Sequence, residues 1–235
     1  MEDPRLLQLR DRYCLTYTAY NKKDAQLCLA ESMDVIHWKR LGVILPAYKG
    51  KWNRGWTKSG AIVPEKIAGK YWMYWLGTAE DKTDQMGLSS SADLLHWNEE
   101  TDEPILPRRP GKFDSRVVEP GPPPIVTRDG IVLIYNGADD HLVYRTGIAI
   151  FDRRDPRGAS SRCSSQNENG RNTGRCQTLC SSRAWPRGEK NGCSITAEPI
   201  NILAWLPHGR RHNRLRTSGN PFRPRFRSQR VKHSS

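Results

Sequence analysis

Two copies of the pattern Ser-x-Asp-x-x-His-Trp carry the most conspicuous acid–base pairs of the sequence. A carboxylate three residues before an imidazole could orient that imidazole for proton transfer. However, the pairs Asp34/His37 and Asp93/His96 recur at a spacing of 59 residues, and a site used once does not need a copy in each repeat. The pattern therefore favours a turn in which Asp caps backbone donors and Trp packs between neighbouring units.

Three single carboxylates could also act chemically. Asp3 lies in "EDPR", a context typical of a turn cap with a salt bridge, where Arg5 is either its structural partner or the group that orients it. Glu119 precedes a rigid proline run, and Asp139 closes a strand and suits a hairpin cap as well as a ligand contact. These residues are the candidates that the surrounding elements must bring together.

Metal binding and membrane insertion find little support. The set Cys176, Cys180, Cys193 and His208 fits no common zinc-ligand spacing, so no metal site is predicted. Only two cysteines precede residue 158, which indicates a reducing compartment. Neither a leader peptide nor an apolar run of about 18 residues is recognisable. We expect a soluble, cytoplasmic protein with no membrane partner.

The elements that must position these groups are short strands. Aromatic segments with alternating polarity occupy residues 13–20, 69–77 and 130–137, each followed by a copy of the turn, the weakest copy being around Asp152. Such alternation, with Gly and Asp at the turns, is typical of antiparallel sheets. Units of 50 to 60 residues made of short strands are typical of β-propeller blades. An all-β fold with about three blades is predicted.

Composition divides the chain after residue 157. Residues 158–235 hold 15 of the 38 Lys and Arg residues but 3 of the 25 Asp and Glu residues, so nearly all of the net charge of +13 belongs to them. Thirteen of those 15 are Arg, whereas a basic arm that binds phosphates usually mixes Lys with Arg. We predict a propeller domain over 1–157 and an irregular, disordered basic tail over 158–235.

The tail also breaks the repeat. A strand resembling "IYNGAD" is due near residue 194, where the sequence reads "GCSITAEP". Back-translation in a shifted frame from Lys190 to Ala204 permits a Tyr-Tyr-Gly-Gly-Ala-Asp segment at the expected position. The match between the shifted frame and the missing strand predicts a frameshift between about Arg157 and Gln166. Residues after it would not belong to the native protein sequence.

Four motifs in order over residues 1–157 resemble glycoside hydrolase family 130: "EDPR", "KSGAIVPEKIAGKYWMYW", "GPPPIVTRDGIVLIYNGAD" and "YRTGIAIFDRRDP". The resemblance implies a five-bladed β-propeller that cleaves β-mannosides with inversion and without a metal. Relatives of this kind have about a further hundred residues before "EDPR". The resemblance therefore implies that this chain is a partial propeller and an inactive fragment.

The same resemblance implies roles for particular side chains. Asp3 is the expected proton donor, acting through a sugar hydroxyl, and Glu119 is the second catalytic carboxylate, facing the central funnel. The residues expected to bind the β-mannoside oligosaccharide are Arg5, Tyr20, Asn21, Lys58, Tyr135 and Asp139. Trp56 or Trp75 is expected to stack on a pyranose face.

Hydrolysis and phosphorolysis both remain open. Phosphorolysis needs a cluster of cations around inorganic phosphate as co-substrate, whereas hydrolysis needs a carboxylate base. Glu80, Asp81 and Asp84 tilt the prediction slightly toward hydrolysis, and no cofactor is expected. The alternative function is a non-catalytic nucleic-acid-binding protein that uses the Arg-rich tail, although its charges predict no specific nucleic-acid partner.

Overall fold

The computed structural model describes residues 1–48 and 50–164, where every regular element is a β-strand, as predicted. The strands are β1 Glu2–Gln8, β2 Tyr13–Tyr20, β3 Ala25–Ser32, β4 Lys39–Leu45, β5 Asn53–Ile62, β6 Tyr71–Ala79, β7 Asp84–Ser91, β8 Asn98–Glu99, β9 Val117–Pro120, β10 Ile125–Val126, β11 Ile131–Ala138, β12 Tyr144–Phe151 and β13 Ala159–Ser164. Within the same residues, no helix is long and apolar enough to cross a membrane.

The strands form three antiparallel units of similar topology, named blades A, B and C. Blade A contains β1–β4 and blade B contains β5–β8, each paired in sequence order. Blade C contains β9–β13, with β9 and β10 both on the inner edge of β11. Blades B and C meet where Asp84 pairs with Val117 in parallel. The predicted all-β partial propeller of about three blades is confirmed.

The repeated pattern forms the turn between the two outer strands of blades A and B. Asp34 Oδ1 accepts the backbone N–H groups of Ile36 and His37 at 2.9 and 2.8 Å. Its other oxygen lies 2.8 Å from His37 Nδ1, and the imidazole is largely exposed. The Asp93 turn repeats these contacts, and Asp152 caps the corresponding turn of blade C. The structural interpretation of both histidines is confirmed.

Strand β6 explains how the blades pack. Side chains alternate across a strand, so Met73 and Trp75 belong to the apolar cluster shared with blade A, while Trp72 and Tyr74 belong to the cluster shared with blade C. The Trp75 ring stacks on Trp52 with centroids 5.2 Å apart. Because both faces of β6 are covered, its sequence is an almost uninterrupted apolar run.

Among the first strands of the blades, β5 contacts both β1 and β9, and the Arg5 side chain of β1 reaches Pro120 of β9. Two of them are irregular: the pairing register shifts between Glu2 and Arg5 and again between Lys58 and Ala61. Asp3 and Ser59 lie inside these irregular stretches, and each has a φ of 51°. Bulges re-aim side chains out of the regular alternation, so both residues are turned by local backbone geometry.

Strand β13 lies beyond the predicted domain boundary at residue 157, paired with β12 from Ala159 to Ser164. The remaining tail, 165–235, lies outside the described residues. The frameshift, the irregular tail, the expected lack of a zinc site in it and the nucleic-acid alternative therefore stay predictions. Because β13 pairs with β12 as far as Ser164, it favours a frameshift in the later part of the interval predicted between Arg157 and Gln166.

Candidate active site

Asp3 and Glu119 lie on the first strands of blades A and C and are close enough to interact electrostatically. Ser59 Oγ donates a hydrogen bond to Glu119 Oε1 at 2.5 Å, and Arg5 Nη2 lies 3.6 Å from the same oxygen. Burial raises the pKa of Glu119, and the negative charge of Asp3 adds to this, against the opposing effects of Ser59, Arg5 and Lys58. Glu119 is therefore a carboxylate that is ready to accept a proton.

Arg5 joins blade A to blade C. Its guanidinium donates to the carbonyls of Gly121 at 2.5 Å and Pro120 at 3.0 Å, in addition to its ion pair with Glu119. The donors are thus directed at β9 and the residue after it. In this structure Arg5 orients the strand that carries Glu119, whereas both roles predicted for it concerned Asp3.

A third carboxylate, Asp84, lies near the first two. Thr78 Oγ1 donates to Asp84 Oδ1 at 2.7 Å, and burial raises the pKa of Asp84 against the opposing charges of Lys58 and Arg116. The Tyr144 hydroxyl lies within the field of all three carboxylates, which together with burial raise its pKa. This region therefore holds three carboxylates, three cations and one phenol: Asp3, Asp84, Glu119, Arg5, Lys58, Arg116 and Tyr144.

The acidic segment before β7 contributes only partly to the site. Asp81 is an exposed turn residue that pairs with Arg108 at 3.1 Å, and Glu80 is exposed. Asp84 differs from these two in being partly buried and in lying within the field of Lys58. The slight preference for hydrolysis that this segment gave stays a prediction.

An aromatic edge adjoins the carboxylates. Trp56 contacts Tyr20 edge-on with ring centroids 5.7 Å apart, and Lys58 Nζ lies 4.9 Å from the Trp56 ring centre. Both rings are partly exposed, as a sugar-stacking surface requires. Asn21 lies beside them, but its Oδ1 caps the turn at Lys23 and Asp24.

Other predicted ligand contacts lie elsewhere. Trp75 is fully buried against Trp52, so the prediction that it stacks on a sugar is wrong. Tyr135 is also fully buried, and its hydroxyl donates to Asp114 at 2.8 Å instead of facing the carboxylates. Asp139 accepts the backbone N–H groups of His141 and Val143 and serves as the hairpin cap.

Several site residues carried no usable signal in the sequence. Ser59 and Thr18 are small polar residues inside strands, and only the irregular pairing of β1 and β5 brings them to the carboxylates. Tyr144 begins β12 and had the aromatic character that could guide a search, but no sequence pattern placed it within the field of Asp84 and Glu119. Among the described residues, no cluster of three His, Cys, Asp or Glu side chains could hold a metal ion.

The family model for glycoside hydrolase family 130, described as beta-1,4-mannooligosaccharide phosphorylase, matches residues 1–164. The chain is 36% identical over 159 residues to a 1,2-beta-oligomannan phosphorylase of Thermoanaerobacter sp. strain X514, covering 66% of this chain and 49% of that protein. The chain thus spans about half the length of the curated relatives it matches.

Solved structures agree. The beta-1,2-mannobiose phosphorylase of Listeria innocua, solved with beta-1,2-mannobiose, superposes with a TM-score of 0.61 at 28% identity, covering 68% of this chain and 43% of that one. A glycosyl hydrolase from Bacteroides ovatus gives 0.59 at 33% identity, covering 69% and 50%. Since the family model covers well over half of the sequence, this chain belongs to glycoside hydrolase family 130.

Proposed function

We propose that this protein contributes the catalytic carboxylates of an enzyme that cleaves β-mannosides by inverting hydrolysis. Asp3 donates the proton to the leaving oxygen through a sugar hydroxyl, and Glu119 acts as the base that activates water. The observation that carries the proposal is the pair of electrostatically interacting carboxylates on the first strands of blades A and C, with the pKa of Glu119 raised by burial. Inverting cleavage needs one acid and one base on opposite faces of the sugar.

The substrate class follows from the relatives and the aromatic edge. Three of the four curated relatives are named for β-1,2-linked mannosides, and another solved relative belongs to work on hydrolases that target beta-1,2 mannosidic linkages in Candida mannan, at 34% identity. Trp56 and Tyr20 offer an exposed surface for a pyranose ring beside Lys58. We therefore propose β-1,2-linked mannosides as the substrate.

Phosphorolysis is the second candidate, because all four curated relatives are named as phosphorylases. Lys58 and Arg116 could attract inorganic phosphate, which would then replace water as the nucleophile. Against this candidate, Asp84 and Glu119 lie in the same field as Lys58, and their negative charges would repel a phosphate dianion. This electrostatic balance favours hydrolysis.

Phosphate dependence distinguishes the two reactions. The form to assay is completed to the length of the relatives, because this chain spans about half of that length, with the frame restored after residue 164 as the frameshift prediction requires. We expect it to release mannose from β-1,2-mannobiose at the same rate with and without phosphate. The unextended chain is expected to be inactive.

Variants then test the residue roles. Asp3→Asn and Glu119→Gln should each lower kcat by about 10²–10⁴-fold, whereas Asp34→Asn, in an outer turn, should not. Release of mannose 1-phosphate only when phosphate is present would replace hydrolysis by phosphorolysis. A folded protein that attacks no mannoside under either condition would contradict the proposed substrate.

A further inference from the structure

Thr18 connects blade A to blade B. It lies between Asp3 and Ser59, where the pairing of β1 and of β5 is irregular. It is fully buried on β2. Its hydroxyl donates to Asp3 Oδ2 at 3.3 Å and accepts the backbone N–H of Ser59 at 3.4 Å. Both bonds are at the long end of the hydrogen-bond range. One buried hydroxyl therefore touches both blade A and blade B.

Ser59 extends the connection to the second carboxylate. Its side-chain hydroxyl donates to Glu119 Oε1 at 2.5 Å, while its backbone N–H points to Thr18. The four residues form a continuous series, Glu119–Ser59–Thr18–Asp3, that connects the first strands of all three blades. Since the series passes through a backbone amide, it holds geometry and does not conduct a proton.

The backbone conformation at Asp3 and Ser59 explains why these hydrogen bonds are needed. Asp3 and Ser59 both have a φ of 51°, a left-handed conformation that non-glycine residues adopt only when surrounding structure enforces it. Side chains are re-aimed at such bulges, so small changes there alter the direction of the carboxylate. The Thr18 hydroxyl donates to the Asp3 carboxylate and accepts from the Ser59 backbone N–H, so it ties the two conformations to each other.

We propose that Thr18 and Ser59 are positioning residues that fix the relative placement of Asp3 and Glu119. This inference rests on the proposed function in assigning those carboxylates to catalysis. Neither hydroxyl needs to touch the substrate. Their role is to aim the acid from blade A and the base from blade C at one glycosidic bond.

Thr16 provides a matched control on the same strand. It is also buried, two residues away, and its hydroxyl bonds to the backbone carbonyls of Gly60 at 2.5 Å and Arg5 at 3.4 Å without contacting a carboxylate. In the completed enzyme, Thr18→Val should lower kcat by about 10²-fold with KM little changed, because misplacement of a catalytic group by about 1 Å has an effect of that size. Thr18→Ser should restore most of the rate, and Thr16→Val should lower kcat far less.

Ser59→Ala supplies a pH readout. The Ser59 hydrogen bond stabilises ionised Glu119, so its loss should move the acidic limb of the kcat/KM profile to higher pH. A purely structural role would leave that limb in place. Equal losses in Thr18→Val and Thr16→Val, or an unmoved acidic limb in Ser59→Ala, would overturn the inference.

A measurement without substrate separates this inference from the proposed function. Carbon-detected NMR of the 235-residue chain, labelled at Asp and Glu carboxyls, should show Glu119 titrating at higher pH in Ser59→Ala. The Asp3 carboxyl signal should shift in Thr18→Val and stay unchanged in Thr16→Val. If these shifts occur but the completed enzyme attacks no mannoside, the proposed function fails and the positioning network stands. If the signals do not move, the network itself is contradicted.

Discussion

Glu119 is surrounded by groups that favour its charged form, yet burial outweighs them. Ser59, Arg5 and Lys58 all lower its pKa, while burial and the charge of Asp3 raise it, with a net upward shift. Asp102 is the opposite case, since Lys51 holds the pKa of that exposed carboxyl below its usual range. The two carboxylates should therefore affect stability with opposite signs as the pH changes.

For Glu119, a raised folded-state pKa means that the folded state binds a proton more readily than the unfolded state. As the pH falls from above that raised pKa toward the ordinary value of 4.5, the folded state should gain stability through Glu119. Glu119→Gln should abolish this gain. Urea unfolding of both proteins from about pH 8 down to that ordinary value measures the difference.

The control for this prediction is Asp102→Asn, which should remove a contribution of the opposite sign. The lowered pKa of Asp102 gives stability that is lost only as the pH falls below its ordinary value of 3.8, so the series for this control extends below that pH. If the Glu119→Gln difference from wild type has the same slope as the Asp102→Asn difference, the environment assigned to Glu119 is wrong.

Val35 carries local backbone strain in the outer turn of blade A. Its φ is 60° and its side chain is 45% exposed. A β-branched residue in the left-handed region costs about 1–2 kcal/mol, and Asn tolerates that region better. Val35→Asn should therefore raise the free energy of unfolding by about 1 kcal/mol, measured by urea denaturation.

The neighbouring residue provides the comparison. Ile36 is exposed in the same turn and is not among the described non-glycine residues with positive φ. Ile36→Asn should give no gain in stability. A gain of equal size at both positions would mean that polarity, and not backbone strain, is responsible.

At the scale of elements, β13 is held to blade C by a buried ion pair. Arg162 Nη2 lies 2.7 Å from Asp114 Oδ2, without the alignment of a hydrogen bond, and both side chains are almost fully buried. Arg162 Nε also donates to the Tyr135 hydroxyl at 3.0 Å, and Arg109 pairs with Asp114 at 2.9 Å. The outermost strand therefore contributes to the packing around Asp114.

Arg162→Met should lower the free energy of unfolding by about 3 kcal/mol, because breaking a buried pair leaves part of the charge uncompensated. Arg157 is an arginine in the same hairpin whose pair with Asp155 is exposed. Arg157→Met should cause no measurable loss, since exposed pairs contribute little. Urea unfolding compares the two, and equal effects would show that β13 is not anchored by Arg162.

At the scale of the molecule, the described blades and the family match reach the same residue, Ser164. The composition boundary at 157 falls before β13, which pairs along β12 and buries Arg162. The frameshift hypothesis assigns no native structure to residues beyond the change of frame. The position of that transition can be tested by truncation.

A chain ending at residue 164 should unfold with the same free energy as the 235-residue chain. A chain ending at residue 157 should be less stable by about 3 kcal/mol or more, since it also loses the buried Arg162 pair. Far-UV circular dichroism during urea unfolding reports both. If removal of 165–235 alone lowers stability by as much, those residues belong to the native fold.

The sequence alone determined the features that depend on local chemistry and repetition. The three aromatic strands, the Asp-capped turns at Asp34 and Asp93, and family membership were all predicted, because alternation, turn residues and a period of 59 residues are visible along the chain. The family resemblance also named Asp3 and Glu119 as candidates for one site, and their catalytic roles stay predictions.

Only the tertiary structure decided which side chains join that site. Tyr135 and Trp75 have the residue types of ligand contacts, but the alternation of β11 and β6 buries them between blades. Thr18 and Ser59 are inconspicuous in sequence, and the register shifts in β1 and β5 bring them to the carboxylates. A one-residue change in register moves side chains to the other face of a strand, and such changes depend on pairing between distant segments that a local pattern does not contain.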